Sequence, residues 1–146
     1  MSNSGTPNTS TLHNLPVRLS SFVGRAAELE QLCSALVAGR LVTISGAGGF
    51  GKTRLAIEVA RRMSTSFPDG MWLVSLAPIS DPGLVVQSVA TAVGASELPG
   101  TTLLEALFAK LSHRELLLVL DNCEHLIDAC AELADVLLRA CPNVRI

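Results

Sequence analysis

Residues 41 to 60 constrain this chain more than any other stretch. Leu41-Val42-Thr43-Ile44-Ser45 is apolar and β-branched, the composition of a buried parallel strand. Arg54-Leu55-Ala56-Ile57-Glu58-Val59-Ala60 places apolar residues among good helix formers, as an amphipathic helix does. Between the two lies Gly46-Ala47-Gly48-Gly49-Phe50-Gly51-Lys52-Thr53. Its glycines admit backbone angles that a side chain forbids, and let the chain pass close around another group. A strand turning through such a loop into a helix aims several amides at one point, at the helix end that favours negative charge.

The spacing Gly-x-x-x-x-Gly-Lys-Thr is the Walker A pattern. In that pattern the loop, here Gly46, Gly48, Gly49, Phe50 and Gly51, cradles phosphates. Lys52 reaches the β and γ phosphates, and the Thr53 hydroxyl ligates Mg²⁺. The plain alternative is a glycine-rich turn holding nothing, and the flanking strand and helix favour nucleotide binding over it. Glu115-Leu116-Leu117-Leu118-Val119-Leu120-Asp121 is a second informative run. Asp121 closes an apolar strand, so it stands on a rigid tip where a carboxylate can meet the Mg²⁺ held by Thr53. Asn122, Cys123, Glu124 and His125 follow. Asn122 can only hydrogen-bond. Glu124 is an able base for an attacking water, and with Lys52 and Asp121 completes the candidate catalytic set. His125 is expected to cap the next helix or line the wall.

Around these stretches, strands alternate with helices. A helix is expected over 26–38, with Leu29, Leu32, Cys33 and Leu36 on one face, and Gly39 to stop it. After the helix that follows Lys52, Phe67-Pro68-Asp69-Gly70 marks a turn into the strand 71–76. Helices follow over 84–93, 102–111 and 126–141, and 143–146 begins a fourth strand. Apolar strands alternating with helices mean an α/β fold, a doubly wound parallel sheet covered on both faces with ligand at the carboxyl ends of its strands.

The 146 residues make one domain, 49% apolar and 16% charged, with a formal net charge of −2. That charge gives no sign of nucleic-acid or membrane binding, and no apolar run is long enough to span a bilayer. Residues 1–14 are Ser, Thr, Asn, Gly and Pro with little apolar content, and read as a disordered tail. They carry no signal-peptide pattern, so a cytoplasmic location follows by default. Cys33, Cys123, Cys130 and Cys141 form no Cys-x-x-Cys pair and read as buried thiols. Cys123 and His125 lack a second ligand pair for a metal site. Arg54, Arg61 and Arg62 beside Glu58 read as a solvated helix face with ion pairs.

Four stretches in order carry a family resemblance. They are Phe22-Val23-Gly24-Arg25, Gly46 to Thr53, Phe67-Pro68-Asp69-Gly70-Met71-Trp72-Leu73, and Leu117-Leu118-Val119-Leu120-Asp121-Asn122-Cys123-Glu124-His125-Leu126. With them residues 15–146 resemble a STAND-class NTPase, closest to the NB-ARC-like ATPase module of bacterial multidomain transcriptional regulators that also carry LuxR-type or winged-helix domains. The resemblance implies a P-loop NTPase three-layer α/β/α sandwich with a parallel sheet, here truncated in its fourth strand. It implies ATP or ADP as the nucleotide, with Val23, Gly24 and Arg25 against adenine and ribose. It implies a slow switch, off with ADP and assembled with ATP, that engages protein partners or its own copies through further domains. Two positions depart from the family. Ala26 stands where an acid often follows the arginine, and Asn122 stands where better-known relatives have a second acid.

The leading reading is therefore an ATP/ADP-binding signalling module with slow hydrolysis, with no direct nucleic-acid or membrane contact of its own. The alternative is a non-hydrolysing, nucleotide-dependent interaction domain. A small P-loop kinase would need an arginine-bearing lid, and 81–100 is poor in charge. The family continues past the strand at Val144 into a γ-phosphate sensor and further domains. The 146 residues alone are thus expected to behave as an N-terminal fragment, aggregation-prone and nearly inactive as an ATPase.

Overall fold

A computed structural model describes residues 12–17, 20–49 and 51–146. The helices are α1 (Ala26–Ala38), α2 (Lys52–Arg62), α3 (Val85–Val93), α4 (Leu103–Leu111) and α5 (Ile127–Ala140). The strands are β1 (Met71–Ser75), β2 (Leu116–Asp121) and β3 (Val144–Arg145). All pairing is parallel in the order β1-β2-β3, and the β1–β2 register runs from Met71 opposite Leu117 to Ser75 opposite Asp121. The fold is α/β, as the alternation of periodicities requires.

Side-chain alternation along the strands divides the core in two. Val74, Leu116, Leu118 and Val144 pack with Val85 and Val89 of α3, Leu107 and Leu111 of α4, and Leu133 and Leu137 of α5. Met71 and Leu117 face the other way, onto Leu29 and Leu36 of α1, Leu55 and Val59 of α2, and Phe67. Helices therefore cover both sheet faces. Caps place their ends: Thr102 and Glu105 form a capping box at the start of α4, and Gly94 takes the left-handed conformation after α3.

Two expectations need correction. Leu41–Ser45 does not form a strand. Its start lies beside β3, where Val42 N–H donates to Ile146 O (3.0 Å) and Ile146 N–H donates to Arg40 O (2.8 Å). A ladder needs a backbone partner at each step, and these two bonds are the ones this stretch finds across the sheet. An apolar groove of about 400 Å³ separates it from β2, with Ile146 among the lining residues. The stretch expected as a disordered tail also ends early. Its first eleven residues lie outside the described ones, but 12–14 run along β1: His13 bridges Met71, and Met71 N–H donates to Leu12 O. Asn14 acts as a surrogate peptide group, accepting from Leu73 N–H (2.6 Å) and donating to Leu73 O (2.9 Å). Edge strands leave such groups unpaired unless something covers them.

Two arginines of α2 serve the same N-terminal segment. Arg54 donates to Ser20 Oγ and Arg61 donates to Pro16 O. Long-range bonds of this kind leave no mark in a sequence read for charge spacing.

Gly70 is the glycine on which this arrangement turns. Its φ is +117°, and a Cβ there would lie 2.8 Å from Leu12 O and 2.9 Å from Trp72 Nε1. Gly70→Ala is expected to destabilise the fold by about 1–3 kcal/mol through backbone strain and displacement of the 12–14 segment. Urea unfolding of the two proteins would measure it; an unchanged midpoint would show that the segment is not held there.

Candidate functional site

The carboxyl end of β2 faces the start of α2 across the sheet. Asp121 is the last residue of β2, and its backbone carbonyl accepts from Leu76 N–H (3.0 Å), which fixes the strand tip to β1. Its carboxylate accepts from Thr53 Oγ1 at 2.8 and 3.0 Å through its two oxygens. This contact joins residues 68 apart in sequence and brings the two strongest motifs together.

Lys52 is the first residue of α2 and Gly51, at φ +70°, is its N-cap. The Lys52 ammonium donates to Gly46 O (2.7 Å), folding back over the loop that precedes it, and lies 3.4 Å from Glu124 Oε1. Lys52 is largely covered, whereas Glu124 is well exposed. Glu124 has its pKa lowered, first by a backbone N–H bond and then by Lys52. A depressed folded-state value means that the pair stabilises the fold above the ordinary glutamate range. That contribution fades as the pH falls through the lower folded value.

The loop glycines differ in their needs. Gly49 has φ +85° and Gly51 φ +70°, which favour glycine on backbone grounds. Gly48 has neither a positive φ nor any heavy atom within 4 Å of a built Cβ. Among the described residues nothing around it excludes a side chain. Gly46 faces Lys52, with 3.8 Å from a built Cβ to Lys52 Cδ. Phe50 lies outside the described residues.

Val23, Gly24 and Arg25 precede α1. Gly24 (φ +83°) and Arg25 (φ +55°) are both left-handed. Arg25 Nε and Nη2 donate to Glu28 Oε2 (2.9 and 2.5 Å), a pairing that raises the arginine pKa and lowers that of Glu28. Arg25 Nη1 also comes within 3.6 Å of where a Gly51 Cβ would stand, so this segment borders the glycine loop. Val23 is 86% exposed and packs on nothing that would explain its side chain.

The residues after Asp121 take roles that sequence could not assign. Asn122 is left-handed, φ +58°, the turn by which the chain leaves β2. Cys123 Sγ contacts Leu120 O at 3.2 Å, and burial pushes its thiol up to about 12. It is a neutral packing group, not a nucleophile. His125 Nε2 donates to Ile79 O at 2.5 Å, since a carbonyl can only accept. It ties this loop to the one after β1. Among the described residues no group of three or more His, Cys, Asp or Glu is arranged to hold a metal ion. The apolar groove reaches Lys52, Asp121 and Glu124 at one end, and among the described residues of the glycine loop that precede Lys52 it is lined by Gly46.

Curated proteins are similar to much of this chain. An uncharacterised protein of Mycobacterium tuberculosis is 41% identical over 137 residues, 94% of this chain and 35% of that protein. A second protein of that organism, named "Putative HTH-type transcriptional regulator", is 48% identical over 111 residues, 76% of this chain and 12% of its own length. The regulatory protein AfsR of Streptomyces coelicolor is 37% identical over 134 residues, 78% of this chain and 14% of its own length. The chain thus spans about a third or less of the relatives it matches. Named relatives are regulators. No family model matches the chain, and no solved structure does. No helix among the described residues is long and apolar enough to cross a membrane.

The left-handed turn at Asn122 gives a direct test of the local geometry. Asn122→Gly is expected to leave stability nearly unchanged, whereas Asn122→Val is expected to cost about 1–2 kcal/mol, because a β-branched residue is strained at positive φ. Denaturant unfolding distinguishes them; equal midpoints would mean that the turn relaxes.

Proposed function

We propose that this chain is an ATP/ADP-binding signalling module of the STAND class, a P-loop NTPase domain with slow hydrolysis that works as part of a transcriptional regulator. The observation that carries the reading is the Thr53–Asp121 contact at 2.8 Å, next to a glycine loop that opens at a helix N-terminus. A hydroxyl and a carboxylate side by side are hard oxygen donors of the kind Mg²⁺ takes, with phosphate oxygens and waters completing its shell. Gly48 adds support, since an approaching phosphate supplies the reason for its missing side chain that the fold does not. The regulator names of the relatives support the cellular context.

In this reading the loop amides of Gly46, Gly48, Gly49, Phe50 and Gly51 bind the phosphates. Lys52 neutralises their terminal charge, and Thr53 and Asp121 hold Mg²⁺. Bound Mg²⁺ would neutralise charge on the phosphate oxygens, which eases the approach of a nucleophile. Val23, Gly24 and Arg25 border adenine and ribose. Glu124 orients the attacking water once phosphates draw Lys52 away from it.

The alternative is a nucleotide-dependent interaction domain that does not hydrolyse. The Lys52–Glu124 pair favours it, because a carboxylate engaged as a counter-ion is a weaker base. Single-turnover ATP hydrolysis by a full-length relative of this chain, compared with its Glu124→Gln equivalent, separates the two. Loss of hydrolysis supports the first and no change supports the second.

Lys52→Ala is expected to abolish nucleotide binding, with weakening of at least about a hundredfold, while the fold survives. Calorimetry with ADP would show it, and equal affinities would remove the assignment. Asp121→Asn is expected to weaken Mg²⁺-ATP more than metal-free ADP, as only the former uses the metal. Equal losses would make Asp121 structural.

A further inference from the structure

At the opposite end of the sheet, where the strands begin, a second and smaller pocket opens. It has a volume of about 150 Å³ and is lined by Arg40, Ser66, Glu115, Pro142, Asn143 and Arg145. These residues come from four different parts of the chain. Arg40 follows α1, Ser66 closes the short helical turn before β1, Glu115 precedes β2, and the last three lead into and through β3.

Two of them are guanidinium groups held in place. Arg40 Nη1 donates to Cys141 O and Pro142 O, both at 3.2 Å, at the C-terminal end of α5. Arg145 stands opposite Leu117 in the β2–β3 register, and so shares the sheet face that Leu117 gives to α1 and α2. That position buries its Nε, and the buried Nε–H has no hydrogen-bond partner. Among the described residues neither arginine is within ion-pair distance of a carboxylate. A buried donor without an acceptor is destabilising, more so when charged, and such orphans commonly mark an ion or water. The lining carries two positive side chains against one carboxylate, Glu115. Its backbone N–H donates to Asp69 Oδ2 (2.8 Å), which fixes where it stands.

We infer that this pocket is a binding site for a single tetrahedral oxyanion of the phosphate or sulfate type, with the Arg145 Nε–H as one of its donors and Arg40 as the second cation. The volume holds about five waters, or one such ion with a water or two. It is too small for a nucleoside, so the site is separate from the one at Lys52 and independent of that reading. Guanidinium donors suit an oxyanion because their planar fork meets two oxygens at once.

The test is a titration with inorganic phosphate at low ionic strength, followed by backbone amide NMR shifts. Saturable shifts at Ser66, Glu115, Asn143 and Arg145 are expected, with a Kd on the order of 1 mM. Arg145→Gln is expected to weaken binding about tenfold or more, and Arg145→Lys to weaken it less, since charge stays but the fork is lost. Glu115→Gln is expected to tighten it several-fold by removing the opposing carboxylate. Lys52→Ala is expected to leave these shifts unchanged. The dispersion of each variant's spectrum reports whether it is folded, and Arg145→Lys with Glu115→Gln tests the site should Arg145→Gln fail to fold. Shifts confined to residues 46–53, loss of the shifts in Lys52→Ala, no saturation, or unaltered affinity in the Arg145 and Glu115 variants would overturn the inference.

Discussion

The pairing of β2 with β1 is the constraint on which the rest depends. Five register positions, from Met71–Leu117 to Ser75–Asp121, hold β2 along one side, and Val144 and Arg145 hold its start on the other. Its residues alternate between the two halves of the core, so no shift by one position is tolerated without turning both faces over. That rigidity decides where Asp121 stands. Because the Leu76–Asp121 backbone bond adds a further step beyond the named strand, the carboxylate is presented from a fixed tip. Thr53, one residue inside α2, then meets it without any adjustment of the strand.

Charge at the candidate site is balanced locally. The Lys52 ammonium meets Gly46 O and Glu124, the Thr53 hydroxyl donates a hydrogen bond to Asp121, and Arg25 is paired with Glu28. Each cation that could meet an anion from outside already has an oxygen partner, and each partnership is with an exposed or half-exposed group. Exposed pairs are individually weak because solvent screens them, so an incoming polyanion displaces them readily.

Helix placement was legible in the sequence because apolar periodicity and caps agree. The 26–38 helix has the bounds expected from Leu29, Leu36 and Gly39, the 102–111 helix starts one residue later than expected, and the last helix is one residue shorter at each end. The glycine loop and Asp121 were legible as motifs, and the structure brings Thr53 and Asp121 into contact. Other features were not legible, for physical reasons. A strand requires a partner at each step, and Leu41–Ser45 has β-branched composition but one such bond to β3's end, at Val42, beside the one that Arg40 accepts just before it. The 12–14 segment is held by Asn14 imitating a peptide group, which depends on tertiary position and not on apolar content. Arg54 and Arg61 reach backward to a loop, where spacing along the helix had pointed to Glu58. The Lys52–Glu124 contact crosses between two loops and has no sequence signature at all.

His125 has a mechanical consequence. Its bond to Ile79 O runs from the loop after β2 to the loop after β1, one residue beyond Glu124. The two loops are therefore strapped together, and the second of them leads through the Asp81-capped turn into α3. A single side chain therefore ties the place of the loop that carries Glu124 to the approach to α3, a helix on the far face of the sheet from α2.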